Sequence, residues 1–218
     1  HNHKGAIKSY LRMASMSVNK LIYVHDPMCS WCWGYKPTWQ KLESALANIL
    51  PIEYRIGGLA ADSDQPMSAD MQLQLQGIWQ NISSQLGTEF NFGFWRECQP
   101  RRSTYPSCRA ALIARSFNKE PQMIDAIQQA YYLKAQNPSD EDVLIKLCEK
   151  IGLDPCLFTQ QLHSKELKRC FDDELNFVRS LPIQGFPSLV LIKNNSAYPI
   201  AINYTDWRQT LSEIQSYL

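Results

Sequence analysis

Leu21-Ile22-Tyr23-Val24-His25-Asp26-Pro27-Met28-Cys29-Ser30-Trp31-Cys32 reads as a buried strand, a turn and the start of a helix. Leu21 to Val24 is a continuous apolar, β-favouring run, and Asp26-Pro27 closes it as turn chemistry requires. The following stretch, from about Cys29 to Leu50, predicts a helix, because Trp33, Trp39, Leu42, Leu46 and Ile49 recur at roughly helical spacing. Ile52 to Ile56 is a second strand, ended by Gly57-Gly58. Strand, helix and strand form one unit whose strands lie parallel through a right-handed crossover.

The spacing of Cys29 and Cys32 carries the chemistry. Residues three apart on a helix share a face, close enough for a disulfide without large distortion. A cysteine at a helix N-terminus meets unpaired backbone N–H groups and the positive end of the macrodipole. Both favour the thiolate and lower its pKa below the ~8.5 of a free cysteine. Cys32, one turn deeper, is expected to be less exposed. Thiol–disulfide exchange follows, with Cys29 attacking and Cys32 resolving the mixed disulfide. Zinc is the competing use of such a pair, but it takes four ligands, commonly from a second pair. No second C-x-x-C occurs, and His25 and His163 do not cluster with the tag-like His1 and His3. We expect no metal and no bound cofactor.

Outward from this unit the sequence changes character. Between about Ser68 and Arg179 strand signals nearly vanish and helical ones recur: Met71 to Leu86, Pro106 to Phe117, Pro121 to Gln136, Ser139 to Ile151 and Pro155 to His163. Ser139-Asp140-Glu141-Asp142 supplies a cap and acidic residues at a helix start, and Gly152 a helix end. Lys165 to Arg179 is a further helix leading back to the sheet. Strand character returns at Ser188 to Ile192 and Tyr198 to Ile202 around a hairpin turn at Asn194-Asn195, and Thr205 to Leu218 closes the chain as an amphipathic helix. The fold class is α/β.

Bulk properties exclude several functions. The 218 residues carry a formal net charge of +1 and are 44% hydrophobic, so nothing argues for nucleic acid or an acidic membrane as partner. No apolar run reaches the ~18–20 residues of a membrane span. Residues 1–15, beginning His1-Asn2-His3-Lys4, read as an expression tag and linker. With Met16 as native start no secretory signal fits, which places the protein in the cytoplasm, or in the periplasm if a leader has been removed. Seven cysteines are an odd set, favouring a reducing compartment. Most of the five outside the motif are expected to be small buried hydrophobes.

The strand followed by Cys29-Ser30-Trp31-Cys32, Pro37 inside the next helix, and Gly185-Phe186-Pro187 before a later strand together resemble the thioredoxin superfamily. A helical block between the two halves is similar to the DsbA-like branch, and Asp26 to Gly34 most resembles FrnE-like proteins. The resemblance covers roughly Lys20 to Leu218. It implies a thioredoxin-like fold with a helical domain, 63–163, inserted between a β-α-β half, 18–62, and a β-β-α half, 164–218. It also implies that Pro187 is a cis-proline facing the cysteines and that Phe186 pairs through its backbone with an incoming polypeptide or glutathione. The implied partners are protein or small-molecule thiols and disulfides, with glutathione as a substrate.

One departure from strongly oxidising DsbA proteins is Ser30-Trp31, where those relatives carry a histidine between the cysteines. Ser30 donates a hydrogen bond but brings no charge, so a less depressed pKa and a more reducing couple are expected. Trp31 offers an apolar surface to a substrate, or packs under the helical block. His25 and Asp26 are read as turn residues, with proton transfer near Cys29 as the alternative. Arg101 to Tyr105 is read as a solvated basic loop. In the related kappa-class glutathione transferases and hydroxychromene carboxylate isomerases the corresponding region lines the glutathione site. Cys108 is read as buried, and Met67, Met71, Trp79 and Trp95 as core or cleft lining. Two other functions compete with redox exchange. One is a glutathione-dependent transferase or isomerase, whose members typically carry serine at the first motif position. The other is a non-enzymatic peptide-binding module.

Overall fold

The structure, a computed structural model, describes residues 18–218. The 1–15 stretch and Met16 lie outside the described residues. Four strands, β1 (Lys20–His25), β2 (Ile52–Ile56), β3 (Ser188–Lys193) and β4 (Ser196–Ile200), form one sheet in the order β2-β1-β3-β4. β1 runs parallel to β2, with Leu21 opposite Ile52, and antiparallel to β3, with Leu21 opposite Leu191. β3 and β4 form a hairpin whose turn residues Asn194 and Asn195 have φ 50° and 65°, as a tight primed turn demands.

Every residue of β1 is buried because both faces of the sheet are covered. Leu21 and Tyr23 point to one side, where they meet α1 (Ser30–Leu46) and the C-terminal α9 (Trp207–Tyr217) through Tyr35, Trp39, Leu42, Leu46 and Ile214. Ile22 and Val24 point to the other, against Val178 and Leu181 at the end of α8 (Lys165–Arg179). α1 is shorter than its periodicity predicts. The chain turns after Leu46, and Ile49 is exposed, because β2 must begin at Ile52 to pair with Leu21.

Six helices fill the chain between β2 and α8: α2 (Ala69–Leu86), α3 (Phe94–Glu97), α4 (Tyr105–Ser116), α5 (Glu120–Leu133), α6 (Glu141–Lys150) and α7 (Pro155–Leu162). They share one core, which includes Trp79, Phe94, Ile127, Tyr131, Tyr132 and Phe158. The four-residue α3 was not expected from the sequence. Gly152 takes φ 87° just after α6, as read. Ser139 does not cap that helix. Asp140 occupies the N-cap without a side-chain bond, while the Ser139 hydroxyl donates to Ser103 O at 2.6 Å.

α8 belongs to both cores. Leu167, Phe171 and Leu175 pack with the inserted helices, and Val178 packs on the sheet. A buried ionic cluster reinforces the junction: Glu174 on α8 accepts from Arg55 of β2 at 2.6 Å and from Arg115 of α4 at 2.5 Å. Across the molecule, Lys36 of α1 is paired with Asp125 of α5. Among the described residues no helix is long and apolar enough to cross a membrane.

Candidate active site

β1 is an interior strand, and the turn 26–29 at its C-terminal end delivers the chain into α1. Cys29 is the N-cap residue, extended at φ −78° and ψ 120°, and its carbonyl accepts the first helical bond from Trp33 N at 3.1 Å. Its sulfur therefore faces the open N–H groups of the first turn. Cys29 is 6% exposed and Cys32 1%, so Cys29 is the more accessible of two sheltered sulfurs. The Cys29 thiol is held below its ordinary pKa, first by a hydrogen bond from Cys32. The backbone N–H groups of Cys32 and Trp31 add to this, against the opposing effects of burial and of Asp26. Cys32 is pushed well above its ordinary range, first by burial and then by Cys29. The two sulfurs are biased in opposite directions, Cys29 toward the thiolate and Cys32 toward the thiol.

The Cys29 sulfur lies 3.5 Å from the carbonyl oxygen of Phe186, and the Phe186–Pro187 peptide bond is cis. The loop before β3 thus faces the motif although 157 residues separate Cys29 from Phe186. The Phe186 ring packs against Gly57, where a Cβ would meet ring carbons at 2.1 and 2.2 Å. Only the absence of a side chain at Gly57 permits that seat.

Trp31 is half-exposed, its ring centroid 5.1 Å from that of Tyr204 in the segment between β4 and α9. It packs on the sheet half and not under the helical block. Successive residues of a helix point about 100° apart, and its neighbour Ser30 takes the direction facing the insertion. The Ser30 hydroxyl accepts from the indole N–H of Trp79 at 2.9 Å, and the Tyr132 hydroxyl lies 3.5 Å away. Trp33 also faces the insertion, stacked on Tyr132 at 5.5 Å and donating to Glu89 O at 2.9 Å.

Asp26 is fully buried behind the motif. One carboxylate oxygen accepts from Met28 N at 2.8 Å, which shapes the turn. The other accepts from Leu59 N at 2.7 Å, the Thr104 hydroxyl at 2.7 Å and the Cys108 thiol at 3.3 Å. Burial still dominates these four bonds and raises the Asp26 pKa. His25 is buried too, its Nε2 without a partner. Its pKa is lowered to about 3 by burial and then by Arg115, so the imidazole stays neutral.

Several expectations need correction. Arg101 to Tyr105 is not a solvated loop: Ser103 and Thr104 are buried, and Arg101 binds Asp140 at 2.5 Å and the Ser139 carbonyl. Such a segment must satisfy its polar groups internally, and Asp26 and Ser139 supply the partners. Cys108 and Cys148 are buried, but Cys98 is intermediate and Cys156 and Cys170 are exposed. The last two lie on outward faces of α7 and α8. Sequence reasoning assigned no site role to Thr104 or Tyr132 and left Trp79 as lining. A buried indole N–H or phenol needs a hydrogen-bond partner, and that requirement was the available signal for Trp79 and Tyr132.

Residues 22–209 match the model of the Thioredoxin_5 family, described as thioredoxin. The chain belongs to this thioredoxin family. Among solved structures it is similar to a candidate protein disulfide isomerase from Nitrosomonas europaea, at 26% identity and TM-score 0.78, covering 92% of this chain and 98% of that one. It shares its fold with the cytosolic disulfide reductase DsbM of Pseudomonas aeruginosa, at 21% identity and TM-score 0.74, covering 91% and 100%. The same reductase solved with GSH gives TM-score 0.71. A ClpXP adapter protein SpxH from Halalkalibacterium halodurans is 23% identical over 78% of this chain. The chain spans 57% of that relative's length. This thioredoxin-family chain therefore has the DsbA-type arrangement, a helical insertion set into the sheet unit.

Proposed function

We propose that the chain is a thiol–disulfide oxidoreductase, with Cys29 the attacking thiolate and Cys32 the resolving thiol. The observation that carries this reading is the opposed bias of the two sulfurs, Cys29 lowered and Cys32 raised, beside the Phe186 carbonyl. The Cys29 thiolate attacks a substrate disulfide, forms a mixed disulfide and expels the first substrate thiolate, which takes up a proton. Cys32 then loses its proton and attacks the Cys29 sulfur, and the second substrate thiolate leaves. Two electrons pass from the dithiol to the substrate, and the Cys29–Cys32 disulfide remains. The reverse sequence oxidises a substrate dithiol. Asp26, whose charge acts on both sulfurs, is the carboxylate we assign to take the Cys32 proton.

The reaction asks for no bound cofactor, because the cysteines hold the electrons. Substrates are protein or small-molecule thiols and disulfides, GSH among the thiols, as the GSH complex of the DsbM fold relative supports. Trp31, Phe186 and Pro187 form the substrate-facing rim in this reading, with Ser30 between the cysteines turned toward Trp79 behind it; the compartment we assign is the cytoplasm, or the periplasm if a leader has been removed. The test is a redox titration in GSH/GSSG buffer with acid quench, alkylation and peptide mass mapping. A reversible Cys29–Cys32 disulfide with a potential between about −120 and −270 mV is expected. Failure of that pair to form would overturn the proposal.

A second reading, a non-catalytic adapter, draws support from four curated relatives named ClpXP adapter protein SpxH. A groove of about 1100 Å³ between α4, α7 and α8, lined by Leu112, Ile113, Leu157, Leu167 and Phe177 among others, offers a surface separate from Cys29 and Cys32. Replacing both Cys29 and Cys32 by alanine separates the readings, since an adapter keeps its function.

A further inference from the structure

The two residues flanking Cys29 are both held by side chains of the inserted helices. On one side the Tyr132 hydroxyl of α5 donates to the carbonyl oxygen of Met28 at 2.8 Å. On the other the Trp79 indole of α2 donates to the Ser30 hydroxyl at 2.9 Å. These partners come from 104 and 49 residues away in the chain. Their own positions are fixed by mutual packing, the rings of Trp79 and Tyr132 standing 5.3 Å apart at 62°. Trp79 also stacks on Phe90 at 4.9 Å and meets Tyr131 edge-on at 5.4 Å. The Trp79 N–H is given to the serine, and the Tyr132 hydroxyl, bonded to the Met28 carbonyl, also lies 3.5 Å from the same serine oxygen, so both donors converge on the turn.

We propose that Trp79 and Tyr132 are positioning residues, through which the inserted helical domain fixes the turn 28–30 so that the first-turn N–H groups stay aimed at the Cys29 sulfur. This rests on the reading of Cys29 as the attacking thiol and adds the part of the protein that sets its reactivity. A turn free to rotate by even a fraction of a residue would swing the Trp31 and Cys32 N–H groups off the sulfur, and hydrogen bonds weaken steeply as their angle closes. Ser30 takes the role that a charged residue between the cysteines would take by charge, but by geometry. Its oxygen anchors the backbone to a buried indole. The titratable groups in electrostatic reach of the Cys29 sulfur are Asp26 and Cys32 from the same segment, Tyr23 from β1, Tyr131 and Tyr132 from α5, and Tyr204 before α9. Trp79 and Ser30 are uncharged, so their replacement alters geometry and not the local charge.

The experiment measures the alkylation rate of Cys29 against pH, by peptide mapping, in the full chain and in Trp79→Phe, Ser30→Ala and the double variant. Trp79→Phe keeps an aromatic ring and the site's apolar character, and loses the N–H donor together with the volume of the indole's second ring. The thiolate-to-thiol ratio at a given pH is expected to fall about fivefold in each single variant, the worth of one neutral hydrogen bond of ~1 kcal/mol. In the Ser30→Ala background Trp79→Phe should move it no further. The equilibrium with GSH/GSSG should shift about fivefold toward the Cys29–Cys32 disulfide, because the reduced form loses thiolate stabilisation. An unchanged Cys29 titration in Ser30→Ala, or additive shifts in the double variant, would overturn the proposal. If Trp79→Phe does not fold, Ser30→Ala alone decides by the same criterion, with Tyr132→Phe as the second arm. The alkylation readout needs no turnover. Failure of disulfide exchange in the unmodified chain would therefore strike the proposed function, and an unmoved titration only this inference.

Discussion

The sheet half and the inserted helical half contribute to the cysteine site in different ways. The sheet half supplies backbone: the end of β1, the start of α1 and the Phe186–Pro187 loop place the sulfur, the helix N–H groups and the facing carbonyl. The helical half supplies side chains, namely Trp79, Thr104, Cys108 and Tyr132, each bonded to the 26–30 segment. The sheet half thus defines which chemistry is available, and the helical half holds the chemistry in register. An insertion used in this way cannot be a detachable cover, and α8, shared between both cores, ties the two physically.

The strongest challenge to this division is to remove the chemistry while leaving the scaffold. Cys29→Ala is expected to reduce disulfide exchange to the uncatalysed rate with the fold intact by circular dichroism. Cys32→Ala should accumulate mixed disulfides visible by mass spectrometry. Retained turnover in Cys29→Ala would move the reactive centre elsewhere.

A second challenge asks whether the halves are independent. Phe171→Ala, in the part of α8 that packs with the insertion, should cost about 3–5 kcal/mol. Because α8 continues onto the sheet, denaturant unfolding should remain one transition by both circular dichroism and Cys32 alkylation. Two separated transitions would break the link.

Gly57→Ala probes the sheet half alone. A methyl group there meets the Phe186 ring at 2.1 Å, so the ring and its loop must move, at about 1–3 kcal/mol. The expected kinetic signature is a raised KM for disulfide substrate, with a smaller change in kcat.

The smallest expected effect sharpens the contribution of Asp26. Burial raises its pKa above the ordinary 3.8, so the folded state holds the proton to higher pH than the unfolded chain. Stability from that proton is present in acid and is lost as pH rises from 3.8 through the raised value. Asp26→Asn should therefore gain stability relative to the natural chain as pH rises, measured by urea unfolding at several pH values. It should also lower the pKa of both cysteines, since the charge of Asp26 raises each while its backbone contact with Cys32 is kept in the variant. A pH-independent difference in stability would show that Asp26 is not protonated preferentially in the fold.

The local features of this protein are legible in the sequence because their physics is local. Four consecutive apolar residues at Leu21 to Val24 require a strand buried on both faces, and the C-x-x-C spacing places two sulfurs on one helical face. The Asn194-Asn195 pair supplies two positive φ values. The family resemblance carried the fold class and pointed to Pro187. Helical periodicity located five of the six inserted helices, while the one-turn α3 was too short to show a period.

Which side chains meet the motif was decided by tertiary structure alone. Periodicity tells which face of a helix is buried, and says nothing of what it is buried against. The Trp79–Ser30, Thr104–Asp26 and Cys108–Asp26 contacts span 49, 78 and 82 residues, and a single hydrogen bond across such a distance leaves no repeating pattern in the chain. Trp31 was placed by the same kind of accident of direction: one residue's rotation around α1 sent Ser30 to the insertion and the indole beside it to Tyr204.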